Sequence, residues 1–290
     1  MISPVAVLLG AAAAISFGAL AVAIRVALVP GLDPDAATLV TTTVACGVCI
    51  ATAAVLGQWD GVPWGDVWPF VLAGTFAPGI TQMLFTRSIG LIGPSRTTIL
   101  VGTSPALSVA IAIAFLDEPV QAVLIAGTLL VVSGGTMLTW ERGGFRGMLT
   151  LGVVFAVAAA VLFGVRDNVV RWAERGSEVP GVVAAAISLA TAIVVIAAIV
   201  LARGNAVGRT KAAARPFLLS GLIYGCAYVC LLTAFDHGRV SVVAPLYGTE
   251  SLWAVVFSTI VLGRVEAVGV RLVAAAVLVV AGGALISGFR

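Results

Sequence analysis

The sequence predicts an all-α, polytopic membrane protein whose ten transmembrane helices form two inverted five-helix repeats. Three observations lead there. Of 290 residues, 61% are hydrophobic and only 10% charged, where a soluble domain carries about 25% charged residues. The apolar runs recur at close to the roughly 20 residues that a helix needs to cross a bilayer core. The two halves of the chain can also be laid on each other in register. The net charge of +3 is spread over the joints between runs, so there is no clustered basic footprint for nucleic acid.

Taken in order, Met1-Ile2-Ser3-Pro4 has no basic n-region, and the apolar run after it is long. It is therefore read as a retained membrane helix, not a cleaved signal. Spans are expected near Pro4 to Val29, Ala36 to Gly57, Val67 to Gly90, Pro94 to Leu116 and Val120 to Trp140. The second half gives Gly147 to Trp172, Gly181 to Ala202, Pro216 to Phe235, Val240 to Leu262 and Ala267 to Ser287. The joints Pro30 to Asp35 and Gln58 to Asp66 have turn chemistry. The charged joint Glu141-Arg142-Gly143-Gly144-Phe145-Arg146 divides the chain into two repeats, 1–140 and 147–290, with no room for a soluble domain. The cysteines Cys46, Cys49, Cys226 and Cys230 all lie in apolar runs, so Cys46-Gly47-Val48-Cys49 is read as small-residue packing.

An offset of 146 residues places Phe17-Gly18 on Phe163-Gly164 and Arg25 on Arg171. It also places Leu100-Val101-Gly102-Thr103-Ser104-Pro105 on Leu246-Tyr247-Gly248-Thr249-Glu250-Ser251, with Leu, Gly and Thr shared. Later the offset becomes 148, which brings Glu118 onto Glu266 and Gly134-Gly135 onto Gly282-Gly283. Five spans per repeat is an odd number, so the second copy enters the membrane inverted. Inverted repeats commonly build transporters with a site near the midplane. An even span count puts both termini on one side. The odd-numbered joints hold Arg87, Arg96, Arg142, Arg146, Arg203, Arg209, Lys211, Arg215 and Arg264, against chiefly Arg175, Arg239 and Arg290 on the other side. By the positive-inside rule that count puts the termini outside.

Ten spans in two halves, with Asp117-Glu118-Pro119 and Gly134-Gly135 late in the first half and Glu266 with Gly282-Gly283 late in the second, resemble the EamA-type branch of the drug/metabolite transporter superfamily. Gly263-Arg264-Val265-Glu266 departs from the acidic pair plus proline of the first half. The resemblance implies a transporter of amino acids, other metabolites or drug-like compounds in a cell inner (plasma) membrane. It also implies cytoplasmic termini, opposite to the charge count, and a cavity formed mainly by the first, third, fourth, sixth, eighth and ninth spans.

The strongest candidate site residue is Glu250, a carboxylate near the middle of an apolar run, where ionisable groups are rare and usually functional. It is a candidate for proton coupling, for balancing a substrate cation, or for a buried ion pair. Tyr247, three residues earlier, lies on an adjoining face, Trp253 closes the same stretch, and Pro245 and Gly248 favour a local helix interruption. In the sixth span, Asp167 and Arg171 have favourable ion-pair spacing, which leaves Arg166 for Glu250 or a substrate carboxylate, with Asn168 beside it. Gln82 in the third span and Tyr224 and Tyr228 in the eighth would suit a mixed polar and apolar solute; the tyrosines also fit an interfacial belt. Gly221 and Gly225 have close-packing spacing, and His237 is read as a loop histidine.

The sequence has no Walker-type phosphate loop, HExxH or nucleophile elbow, so neither enzyme chemistry nor ATP-driven pumping is expected, and no cofactor or metal. The expected function is secondary transport of a small metabolite, an amino acid or related amphipathic solute, in the export direction. Alternating access would be driven by a proton or by the solute gradient. The expected partners are the solute and the bilayer, and the protein is a monomer or homodimer. The alternatives weighed are an intramembrane lipid-modifying enzyme and a non-transporting scaffold or sensor.

Overall fold

The computed structural model describes the chain apart from residues 1–2, 105, 108–109, 112–121, 138–147, 175–177, 238–242, 244–245, 247, 264–268 and 289–290. The side chains of Asp167, Asn168 and Arg171, among others, also lie outside the described residues. Every regular element among the described residues is helical. The first span is Pro4–Ala27, the second Pro34–Val55, the fifth Ala122–Met137 and the sixth Met148–Glu174. The seventh is Gly181–Ala202, the eighth Ala206–His237 and the tenth Val270–Gly288. Pro4, Pro34 and Pro94 each open a helix, at the position where a missing N–H breaks no ladder. The eighth span starts earlier than its hydropathy suggests and carries Pro216 inside it. Its first turns are basic but alanine-rich, a helical signal that a hydropathy threshold does not see.

Three spans are interrupted, and each interruption is covered by another span. The third runs Trp68–Gly74, passes through a wider turn at Thr75–Ile80 and continues as Thr81–Ile92. This corrects the expectation of one continuous helix. Ala77 is extended (φ −141°, ψ 116°), because the following Pro78 disfavours helix at the residue before it. Thr81 Oγ1 donates to the Phe76 carbonyl at 2.7 Å, satisfying one of the acceptors that the break releases. The seventh span covers the break so closely that a Cβ on Gly74 would stand 2.5 Å from the Ser188 carbonyl.

The fourth and ninth spans break at register-equivalent positions. After Pro94–Val101 the chain turns at Gly102-Thr103, and before Glu250–Val261 it turns at Gly248-Thr249. Thr103 Oγ1 donates to the Leu100 carbonyl at 2.6 Å, and Thr249 Oγ1 to that of Leu246 at 2.7 Å. The shared Leu, Gly and Thr of the repeat therefore have one structural meaning: a helix stop closed by a threonine hydroxyl. The two stops touch, with Ser251 Oγ donating to the Thr98 carbonyl at 3.0 Å.

The halves pack mostly against each other, and the packing is pseudo-two-fold. The first span lies on the eighth and ninth, as the sixth lies on the third and fourth. The second lies on the seventh and eighth, and the seventh also lies on the third. The fifth pairs with the tenth through exchanged contacts: a Cβ on Gly134 would stand 2.7 Å from the Ala275 carbonyl, and one on Gly282 2.5 Å from that of Gly127. The Gly-Gly marks of the two repeats are therefore crossing points where backbones need the missing Cβ. Gly221 and Gly225 do the same for the eighth span against Val44 and Val48 of the second.

One end of the bundle is tied by charge. Asp33 caps the second span, accepting from the Asp35 N–H at 2.7 Å and the Ala36 N–H at 3.2 Å, and receives Arg209. Arg209 also donates to the Val200 and Gly204 carbonyls, at 2.6 and 2.7 Å. Asp35 is fully buried. It accepts two bonds from Arg87, at 2.8 and 2.6 Å, and one from Arg203. Beside this cluster, Arg25 donates to the Gly90 carbonyl at 2.9 Å and Ser88 to that of Gly152 at 2.9 Å. The residues come from joints of odd number, as a ten-span topology requires.

Two outcomes follow from this packing. Gly282→Ala should lower stability by about 1–3 kcal/mol, since its methyl meets backbone that cannot swing away. Gly47→Ala, with nothing within 4 Å of the added Cβ, should be neutral or gain a few tenths; thermal unfolding in detergent separates the two.

A further outcome concerns pH. Burial pushes the Asp33 carboxyl up, but its bonds from Ala36, Arg209 and Asp35 and the Arg209 charge outweigh that and hold it below its ordinary value of 3.8. A depressed folded value contributes stability that is full above the ordinary value and lost as pH falls through the folded one. The stability gap between wild type and Asp33→Asn, measured by unfolding at a series of pH values, should therefore be constant near neutrality and shrink below about pH 4.

Candidate functional site

Glu250 is the first residue of the ninth-span helix and follows the Gly248-Thr249 turn. It is half-buried. The interruption that Pro245 and Gly248 foreshadow is real, and it falls immediately before the acid. The sixth span brings Arg166 to the same place: its guanidinium acts electrostatically on both Glu250 and Tyr224. Arg166 is held over the ring of Phe163, one turn earlier, with Cζ 4.9 Å from the centroid. The register that aligns Phe17-Gly18 with Phe163-Gly164 thus gives both repeats an aromatic ring beside the site.

Tyr224 and Tyr228 share a helical face and meet edge-on at 5.0 Å between centroids, with their side chains hydrogen-bonded. Phe17 of the first span completes the cluster, at 6.4 Å from Tyr224 and 5.9 Å from Tyr228. Both tyrosines are buried, at 2% and 9% exposure, which sets aside the interfacial-belt reading and places their rings in the main core. Trp253 lies one turn beyond Glu250, where a Cβ on Gly18 would come within 2.6 Å of its own Cβ, and it stacks on Phe257 at 6.0 Å. The first and ninth spans are therefore in direct contact at the site.

Gln82 stands in the second segment of the third span, at 3% exposure, and its amide nitrogen has no hydrogen-bond partner among the described residues. Under the 146-residue offset it is the counterpart of Tyr228, and Pro78 that of Tyr224. Two of the residues expected at the site, Tyr247 and the Asn168 side chain, lie outside the described residues, as does the expected Asp167 to Arg171 pair. His237 is the exposed last residue of its helix, its Nδ1 2.9 Å from the Thr233 carbonyl. Cys46 and Cys49 are buried free thiols within the helix packing.

Sequence reasoning missed three things. Phe17 and Phe163 were visible only as repeat markers, although ring-beside-charge chemistry could have singled them out. Pro78-Gly79 inside an apolar run was an available signal for the break in the third span. Asp33 and Asp35, read as turn chemistry, gave no hint of their arginine partners, which lie 52 to 176 residues away in sequence. Together the described residues place a carboxyl, Glu250, within electrostatic reach of a guanidinium, Arg166, near an aromatic cluster drawn from both repeats. That arrangement is suited to a small solute with charged and apolar parts.

Against known proteins, residues 4–140 and 150–288 each match the EamA-like transporter family. A solved structure described only as "Crystal structure of protein" is similar in fold over 98% of this chain and 99% of its own, with a TM-score of 0.67 and 23% identity. No curated protein gives a significant match. The two family matches span nearly the whole chain and fall on two pseudo-symmetric helical halves, so the protein is a member of the EamA-like transporter family, a drug/metabolite transporter embedded in a lipid bilayer.

Proposed function

We propose that this transporter exports a small amphipathic zwitterion, an amino acid or a close relative, across a cell inner (plasma) membrane by alternating access, with Glu250 as the coupling group. The reading is supported by Arg166 lying within electrostatic reach of Glu250 and of Tyr224, in the cluster that Phe17 and Tyr228 complete. Alone, the two charges offset each other. A zwitterion can replace each with its own counter-charge, carboxylate to Arg166 and ammonium to Glu250, so entry costs little in unpaired charge. The guanidinium suits a carboxylate, which it can hold by two bonds. The aromatic cluster and Trp253 then take the apolar body, and Gln82 offers an unmatched donor to a polar end.

Coupling follows from the same exchange. When solute leaves, Glu250 returns to Arg166 or takes a proton, and only one of these states fits each access direction. The repeats would supply the motion, because two nearly equivalent halves can exchange their packings. The protein is taken to work as a monomer or homodimer.

Transport into proteoliposomes tests this reading. Glu250→Gln should remove the dependence of flux on an imposed pH gradient. Arg166→Gln should raise the half-saturating concentration for a zwitterionic amino acid roughly ten- to hundredfold, the value of hydrogen bonds to a charged group. Flux by Glu250→Gln that still tracks the pH gradient would end the coupling role, and an unchanged half-saturation in Arg166→Gln would end the carboxylate role.

A further inference from the structure

The charge cluster at the Asp33 end joins the two repeats: Asp33, Asp35 and Arg87 belong to the first, Arg203 and Arg209 to the second. Its place in the pseudo-symmetry is informative. The 146-residue offset carries Asp33, Asp35 and Arg87 onto Val179, Gly181 and Thr233, and brings Arg203 and Arg209 back onto Gly57 and Pro63. None of these five counterparts is charged, so the opposite end of the bundle has no equivalent tie at these positions. A symmetric scaffold carries an asymmetric lock.

The geometry also separates two functions within the cluster. Arg87 grips Asp35 with both ends of its fork, a bond inside the first repeat that keeps the buried carboxylate neutralised whatever the second repeat does. Arg203, whose side chain is 48% exposed, reaches Asp35 from the second repeat. Arg209 bridges the repeats from the other side, tying the start of the second span to the end of the seventh through the Val200 and Gly204 carbonyls. Because Arg87 stays behind, the Arg203 contact can break without stranding the Asp35 charge in the interior, and the Arg209 contact joins two side chains that are both partly exposed.

We propose that Arg203 and Arg209, closing on Asp35 and Asp33, are gating residues of the transport cycle: an ionic latch between the repeats that keeps this end shut at rest and must open for the site to face this side. The inference rests on the alternating-access reading above and not on the identity of the solute or on Glu250. The latch biases the equilibrium between two otherwise similar packings, and bound solute must supply the difference.

Distances measured by pulsed electron resonance test it, with spin labels at Val29 and Val207. Both sites are exposed, and they lie on either side of the latch in different repeats. The labels are placed in a full-length chain carrying Cys226→Ala and Cys230→Ala, reconstituted in lipid nanodiscs. Wild type without solute should give mainly the short distance. Arg203→Gln combined with Arg209→Gln should raise the ratio of long to short distances by roughly fivefold or more. Arg215→Gln, which removes an exposed cation near the same end, should leave the ratio unchanged.

An unchanged ratio in the double variant overturns the latch, and so does an equal rise in Arg215→Gln, which would mark a general surface-charge effect. Counterflow of a labelled zwitterionic amino acid by wild type, run in parallel, shows whether the transporter reading itself stands. Flux with an unmoved ratio removes only the latch. Absence of flux with a moved ratio leaves the latch standing and removes the proposed substrate.

Discussion

A bilayer core offers no water to a released carbonyl or N–H, so a helix can stop inside it only where something else takes the hydrogen bonds. The whole architecture turns on that constraint. The third, fourth and ninth spans all stop inside the bundle, and each stop is met by a threonine hydroxyl and by a helix of the other repeat. The crossing of the fourth and ninth spans, fastened by Ser251 on the Thr98 carbonyl, is where the two halves depend on each other most directly. Glu250 owes its position to it. The carboxylate stands at a helix start that exists only because the opposite repeat covers the break before it.

The scaffold is close to symmetric, and the chemistry on it is not. Glu250 corresponds to Ser104, Arg166 to Leu20, and Tyr224 and Tyr228 to Pro78 and Gln82. Each repeat therefore gives the site the same elements with different side chains: the second supplies the charges and the tyrosines, while the first supplies Phe17 and Gln82. The Asp33 and Asp35 cluster is one-sided in the same way. Exact symmetry would make the two ends of the bundle equivalent. Charged residues at unmatched positions distinguish the ends while leaving the helix packing of the two repeats alike.

Much of this was legible in the sequence, for reasons that have limits. Span number and order follow from hydropathy, because a bilayer imposes a length on every crossing helix. The repeat followed from spacing, and Leu, Gly and Thr at 100, 102 and 103 recur at 246, 248 and 249 because both stops need the same turn. Glu250 and Arg166 stand out in the sequence because charge in hydrocarbon is costly, and the fold brings them within electrostatic reach of each other. The interruption at Ala77 was hidden by a run apolar enough to pass as one helix. The early start of the eighth span was hidden by arginines that a hydropathy window reads as a joint. The Arg87, Arg203 and Arg209 partners of Asp35 and Asp33 were hidden because pairing over such separations is a property of the fold and leaves no local pattern.

The central claim is that an acid and a base held between the repeats recognise a solute carrying both opposite charges. Ligand-dependent unfolding tests it most directly, since any solute that binds only the folded protein raises its apparent stability by mass action. The purified wild-type protein is titrated with an amphipathic amino acid and, in parallel, with its N-acetyl derivative and its amide. The account predicts a saturable rise in unfolding temperature for the zwitterion, and little or none for the two derivatives, which each lack one charge. Equal shifts for all three, or shifts from the singly charged forms alone, would contradict it.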